Sequence, residues 1–302
     1  MLSSDLIAAY CFNKKGVLAM NNLAGWIKKI IEEFNATSEN SLMNPQNEPA
    51  WDKPLVGFAN GNDPLWDEYK KHIGDFYWTP QEIFSLAFPS LSVKPDEITI
   101  ISWILPQTKQ TRLDHRKEKR LPSERWARSR KYGEDYNVKL RLYLVKTLTD
   151  GGFEACAPIL SPQWEMKVSE RYGLASRWSE RHAAYAAGLG TFGLCDGLIT
   201  PLGKAIRCGS VIARIAIAPT QRPYQDHHAY CLFYSKGICG KCIDRCPVGA
   251  ITKKGHDKIK CQQYVDFETR TFINTQFGFD AYGCGLCQVG VPCESKIPVK
   301  VK

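Results

Sequence analysis

The sequence lacks any apolar run near the ~18 residues that a membrane-crossing helix needs, so no such helix is expected. Its start, Met1-Leu2-Ser3-Ser4-Asp5-Leu6, has neither a basic segment ahead of an apolar stretch nor paired arginines. A secretory leader is therefore not expected, and the expected location is the cytoplasm, where reducing conditions keep thiols free. No internal repeat is present apart from a doubled set of cysteines. Global disorder is excluded, because 44% of residues are hydrophobic and 11% aromatic. A length of 302 residues suits one large or two moderate domains. Cysteine is what the chain has in excess, and it is crowded: eight of the twelve lie from Cys231 onward.

Those eight follow an order. The first run reads Cys239-Gly240-Lys241-Cys242-Ile243-Asp244-Arg245-Cys246-Pro247, and the second holds Cys261, Cys284-Gly285-Leu286-Cys287 and Cys293. Bacterial two-cluster modules use C-x2-C-x2-C-x3-C-P, whose fourth cysteine serves the other [4Fe–4S] cluster. The first cysteine of that pattern would stand at position 236, which is Lys236, so Cys231 is the expected displaced ligand. Crossed pairing then assigns Cys231, Cys239, Cys242 and Cys293 to one cluster, and Cys246, Cys261, Cys284 and Cys287 to the other. Paired C-x2-C units also suit a four-cysteine zinc site, and disulfides are a further alternative. Cys11, Cys156, Cys195 and Cys208 lie outside the pattern and have no assigned role.

A cluster module needs few residues, so the long segment ahead of it should receive or deliver the electrons. Leu23, Trp26, Ile27, Ile30, Ile31 and Phe34 share one face of a helix expected over 20–36. Residues 38–64, rich in Asn, Pro and Gly, read as irregular. Thr79-Pro80-Gln81-Glu82 has the form of a capping box. Ile98 to Pro106 reads as a buried strand, Val138 to Leu148 as a helix, Ser179 to Ala187 as an Ala-rich helix, and Ile206 to Ile217 as a strand. Helices alternating with strands indicate an α/β domain. Gly188, Gly190 and Gly193 match G-x-G-x-x-G but follow a helix, so a helix C-cap and tight turn is the reading preferred over a dinucleotide site. Net charge is +9, and Lys109–Lys131 alone supplies ten Lys/Arg against three acids. With little apolar periodicity, that segment reads as a long loop or arm. It is either a solvated surface or a contact for an anionic partner such as cofactor phosphate, nucleic acid or an acidic redox protein.

The stretch from Ser179-Glu180-Arg181 through Ala187-Gly188-Leu189-Gly190 to Leu198-Ile199-Thr200-Pro201-Leu202-Gly203, followed by the cysteine runs, resembles the epoxyqueuosine reductase and reductive dehalogenase superfamily. Gly133-Glu134-Asp135-Tyr136, leading to Leu140-Arg141, looks like that superfamily's G-R-D-Y-H-x-x-L-R. The resemblance covers roughly residues 95–295. It implies an α/β (α+β) chain: a nitroreductase-like corrinoid-binding domain followed by a bacterial ferredoxin-like two-[4Fe–4S] domain. The corresponding division is an N-terminal extension over 1–94, a cofactor domain over 95–225 and a cluster domain over 226–302. The implied activity is a cobalamin-dependent reductase, with electrons passing through two clusters to cobalt to cleave a C–O or C–halogen type bond.

The resemblance also suggests site residues. Asp135, Tyr136, Gly188, Gly190, Gly193 and Thr200 would line the cofactor or substrate pocket. Epoxyqueuosine reductases carry an aspartate as proton donor in a V-D-T-G stretch, and ungapped counting puts Leu174 at that place. Leucine transfers no proton, so Tyr172 assisted by Arg171 is the expected replacement, with Glu180 nearby. Implied partners are reduced ferredoxin or flavodoxin as electron donor, a small-molecule substrate, and tRNA through the 109–131 segment; no membrane is expected. The alternative functions are an electron-transfer or corrinoid-reducing protein without substrate chemistry, and a flavin-binding reductase.

Overall fold

The computed structural model describes residues 22–299; Cys11 and the first residues of the 20–36 helix reading lie outside them. In chain order the front part contains α1 (Leu23–Asn35), β1 (Leu55–Asn60), α2 (Leu65–Ile73), α3 (Pro80–Ala87), β2 (Ile98–Pro106), α4 (Lys109–Lys117), α5 (Glu124–Asp150) and β3 (Ala155–Cys156). Then follow β4 (Met166–Ser169), β5 (Gly173–Ser176), α6 (Glu180–Ala186), β6 (Thr191–Phe192), β7 (Leu198–Ile199) and β8 (Ile206–Arg214). The cysteine-rich part contains α7 (Leu232–Lys236), α8 (Lys241–Asp244), α9 (Lys258–Gln263), a π-helical stretch Tyr264–Thr269 and α10 (Arg270–Phe277). Among the described residues, no helix is long and apolar enough to cross a membrane.

A four-stranded sheet in the order β1-β2-β8-β3 organises the front part, and every pairing in it is antiparallel. The fold is therefore mixed α and β with an antiparallel sheet, not a run of parallel crossovers. All nine residues of β2 are buried because both faces of the sheet are covered. Ile100 and Ile104 of β2, with Ile212 of β8, pack against α2, α3 and α6. Ile101, Trp103 and Leu105, on the alternate face, pack against α1 and α5 together with Val211 and Ala213. Gly209 stands opposite Trp103, and a side chain on it would overlap the indole. Trp103 Nε1 donates to Asn137 Oδ1 at 2.9 Å, and Asn137 Nδ2 donates to the Cys208 carbonyl at 3.1 Å, which ties α5 to β8.

Three expectations change. The irregular 38–64 region contains β1, an edge strand of the sheet, so residues 1–94 include part of the core rather than only an extension. Pro54 and Gly57 disguise that strand; at Gly57 the backbone packs so close to Ala187 that a side chain has no room. The helix expected over Val138–Leu148 begins fourteen residues earlier, at Glu124. The 109–131 segment is no loop, since α4 and the first turns of α5 occupy it. Thr108 Oγ1 caps α4 by accepting from the Thr111 amide at 3.3 Å. The buried positions of α4 are Thr111 and His115, polar residues held by hydrogen bonds, so a search for apolar periodicity passes over it.

His182, on α6, is enclosed by aromatic rings, with Tyr69 at 4.8 Å and Phe192 at 4.9 Å between centroids. Burial, aided by the Arg181 charge, lowers its pKa from 6.5 to about 3. The unfolded chain therefore binds a proton below pH 6.5 that the folded chain refuses, and stability falls as pH falls through that window. From pH 7 to 5 this one histidine should cost about 2 kcal/mol. Urea unfolding at the two pH values checks this: His182→Gln should flatten the pH dependence by about that amount.

Candidate iron–sulfur site

The first thiol set surrounds one cavity. Cys231, Cys239, Cys242 and Cys293 line it together with Leu194, Ile199 and Lys204. Cys231 reaches it by way of local structure. It caps α7, whose five residues end at Gly237 in the left-handed region (φ 66°), and this folds the chain back toward Cys239. The helical turn takes up the spacing that the missing cysteine at Lys236 would have covered. Among the described residues no three His, Cys, Asp or Glu converge closely enough for a single ion. The four thiols line a space rather than a point, which suits a polynuclear cluster better than zinc.

In the second set, the Cys284 thiol lies near those of Cys261 and Cys246, and Cys287 lies beside Cys284. Cys246 Sγ accepts from the Ala250 amide at 3.2 Å, the local bond made by the C-P-V-G-A turn. Two buried donors face this set without a partner: Trp126 Nε1 and His256 Nε2. The Trp126 indole lies against Gly285, between Cys284 and Cys287, where any side chain would overlap it. His256 points toward Cys261 while its Nδ1 meets Asp196 Oδ2 at 3.1 Å. Buried N–H groups are rarely left unpaired. Cluster sulfides and thiolates are acceptors of the kind these two donors lack, so the residues present fit an iron–sulfur cluster.

The segment expected to form a basic arm clamps this region. His115 stacks on Trp126 at 4.2 Å, and its Nε2 lies 2.8 Å from the Cys284 carbonyl. Burial lowers the His115 pKa to about 3, so the ring is neutral. Its Nδ1 accepts from the Ser123 amide at 3.3 Å, which leaves Nε2 as the donor to Cys284. Arg116 makes a two-pronged ion pair with Glu294 at 2.6 and 2.7 Å, and Arg112 adds a contact at 3.4 Å. Arg245, from the first cysteine run, donates back to the carbonyls of Glu118 and His115 at 2.8 and 3.3 Å. Arg120, Arg125, Arg128 and Lys131 also have carboxylate partners. Most of the local charge is thus spent inside the fold.

Of the residues expected to line a cofactor pocket, Gly193 lines the cavity of the first thiol set, and the others are not among its lining. Asp135 is exposed and pairs with Lys131 at 2.8 Å. Tyr136 is buried in the core against Phe34, its hydroxyl 3.1 Å from Asn35 Oδ1. The inward residues of that motif are Glu134 and Arg141, which join Arg207 and Glu180 in a buried ion-pair network. Burial raises the Glu180 pKa, with Arg141 and Ser210 working against it. Gly188 (φ 76°) terminates α6 as the C-cap reading expects. Gly190 lies so close to the Ile199 carbonyl that no cofactor can enter between them, and Gly193 bonds to the Gly197 carbonyl at 2.8 Å. Thr200 closes a turn, donating through Oγ1 to the Gly203 carbonyl at 2.8 Å.

Tyr172 sits at the tip of the β4–β5 hairpin and is 42% exposed, not a core residue. Arg171 and Lys258 lie over its ring at 5.4 and 5.8 Å, and Arg171 Nη1 is 3.0 Å from His72 Nδ1. Lys258, three residues ahead of Cys261, donates to the Leu174 carbonyl at 3.1 Å, so the hairpin leans on the cluster segment. Five residues near the thiols escaped the sequence reading: His115, Trp126, Cys195, Lys204 and His256. None has a fixed spacing to the cysteine runs; only the glycine between Cys284 and Cys287 hinted that something bulky approaches there.

Residues 237–292 match the family described as a 4Fe-4S double cluster binding domain, a span that leaves Cys231 and Cys293 just outside. The chain is 32% identical over 167 residues to the epoxyqueuosine reductase of Bacillus anthracis, covering 53% of this chain and 39% of that protein. It is 32% identical over 168 residues to the epoxyqueuosine reductase of Staphylococcus aureus, with the same coverage. It thus spans about two-fifths of the length of these curated relatives. Among solved structures, epoxyqueuosine reductase with a modified tRNA-Tyr stem loop aligns at TM-score 0.49 and 18% identity, covering 94% of this chain and 68% of that one. A catabolic reductive dehalogenase aligns at 0.48 and 14%, covering 90% and 36%. The chain is an iron–sulfur protein similar to epoxyqueuosine reductases, with a double-cluster domain in its C-terminal part.

If Cys231 completes the first set, Cys231→Ala should lose about four irons per chain while keeping the other cluster. Iron and sulfide analysis of anaerobically prepared protein checks it, and full retention of both clusters would remove Cys231 from the ligand set.

Proposed function

We propose that the chain is an iron–sulfur reductase that passes single electrons through two [4Fe–4S] clusters toward its front α+β domain. One cluster is held by Cys231, Cys239, Cys242 and Cys293, the other by Cys246, Cys261, Cys284 and Cys287. The observation that carries this reading is that four thiols from three separate stretches line one cavity, although the regular first cysteine is replaced by Lys236. The unpaired donors Trp126 and His256 at the second set support it. Reduced ferredoxin or flavodoxin is the proposed electron donor, and the cytoplasm the proposed location.

A corrinoid is the acceptor that the epoxyqueuosine reductase resemblance implies, and it would supply a strongly reducing cobalt centre. It needs a broad seat beside a cluster. The cavity among the thiols is small and enclosed. A cleft of about 570 Å³ lies at Asn35, Trp51 and Asp52, on the α1 side of the fold, and a groove of about 460 Å³ lies at Arg120, Phe267 and Thr271. Neither is lined by a cysteine; of the turn's glycines, Gly190 is closed by the Ile199 carbonyl, while Gly193 lines the thiol cavity. No step is derived through a corrinoid.

Tyr172 is the proposed proton donor to the substrate, with Arg171 as its assisting cation; its exposure at the hairpin tip leaves it open to a bound molecule. tRNA is retained as a candidate substrate on the relatives' activity alone, because the basic 109–131 side chains are largely paired. The second reading is an electron-transfer protein without its own substrate chemistry. Leu174 at the expected aspartate position favours it.

Metal analysis and a visible spectrum of protein prepared anaerobically with cobalamin supplied separate the readings. About eight Fe per chain is expected. One Co besides would establish a corrinoid reductase; eight Fe without Co or flavin absorbance would favour electron transfer alone. Where a reducible substrate is found, Tyr172→Phe should lower its turnover by about 10²–10⁴-fold with both clusters intact; unchanged turnover would withdraw Tyr172.

A further inference from the structure

Lys204 is a buried ammonium with no carboxylate. Its residue is 2% exposed, and among the described residues no Asp or Glu lies within 4.0 Å of its Nζ. The nearby carboxylate, Glu294, is already held by Arg112 and Arg116. The hydrogen-bond partner of Nζ is Cys195 Sγ at 3.2 Å. The Cys195 thiol is buried beside Cys242 of the first set and Cys287 of the second. Lys204 itself lines the cavity of the first set. Its backbone is fixed there too, since the Lys204 amide donates to the Cys293 carbonyl at 2.8 Å.

An unpaired buried ammonium is strongly destabilising unless an anion answers it. A single thiol that is shared with Cys242 and Cys287 answers it only in part. A [4Fe–4S] cluster with four thiolates supplies the anion, because it is a dianion when oxidised and a trianion when reduced. We infer that Lys204 is the counter-ion at the junction of the two clusters and raises the reduction potential of the one held by Cys231, Cys239, Cys242 and Cys293. Cys195, a ninth thiol that is not a ligand, holds the ammonium in place and fills the gap between the sets. The inference rests on the two-cluster reading above. In each reduction the cluster takes one electron from the external titrant, no proton moves and no bond breaks. The fixed positive charge favours the more negative, reduced state.

The test is an EPR-monitored redox titration of the anaerobically loaded full chain. Lys204→Met should make one cluster harder to reduce by at least tenfold in equilibrium, about 59 mV for one electron. Lys204→Arg should restore most of the shift, and the second cluster should move less. If Lys204→Met does not retain its iron, the wild-type chain labelled with nitrogen-15 lysine answers instead. Pulsed EPR of the reduced protein should then show a nitrogen-15 coupling that Lys204→Arg removes. Loaded clusters with neither shift nor coupling would overturn the role of Lys204 and leave the two-cluster reading standing. A wild-type chain that takes up no iron would refute that reading and the inference with it.

Discussion

The return of the chain onto the Thr200–Ala205 turn is the constraint on which the rest depends. Gly203 (φ 86°) lies so close to the backbone of Glu294 and Ser295 that no side chain fits, and the amides of Lys204 and Ala205 donate to the carbonyls of Cys293 and Glu294. This seam brings the last cysteine to the first thiol set, carries Lys204 into the cavity and sets Glu294 between Arg112 and Arg116. Ala205 leads directly into β8, the strand at the centre of the front sheet. Cluster geometry and sheet geometry are therefore coupled through two residues.

The same logic explains the polar face of α4. A surface helix usually buries an apolar stripe. Here the buried side carries His115, Thr111 and the stems of Arg112 and Arg116, because what it must meet is the backbone and carboxylate of a cysteine-rich loop with little apolar surface of its own. Breaking one member of such a buried pair is costly, since it strands the other charge. Arg116, Arg120, Arg125 and Arg128 of the segment that would draw nucleic acid as an extended arm are here paired with carboxylates.

Much of the fold was legible. The continuous apolar run of β2 announced a strand covered on both faces, and Thr79 to Glu82 announced the start of α3, where the reciprocal capping bonds are present. β1 was not legible because Gly57 breaks its pattern for the sake of a close contact with the α6 terminus. The cysteine runs were legible because cluster ligation fixes their spacing. A linear motif does not say which helix face turns inward: Glu134 and Arg141 face the buried network, while Asp135 faces solvent and Tyr136 the other core.

By itself the sequence determined the cluster chemistry, since eight thiols in crossed spacing have few other uses, and the buried strand Ile98–Pro106, whose apolar run is continuous. Tertiary structure alone decided the surroundings of those thiols. Trp126, His115, His256, Cys195 and Lys204 come from separate elements, and no local pattern ties them to the cysteines. The physical reason is that ligand spacing is a covalent constraint along the chain, whereas the charges and donors that tune a cluster act through space, and their meeting depends on how the whole fold closes.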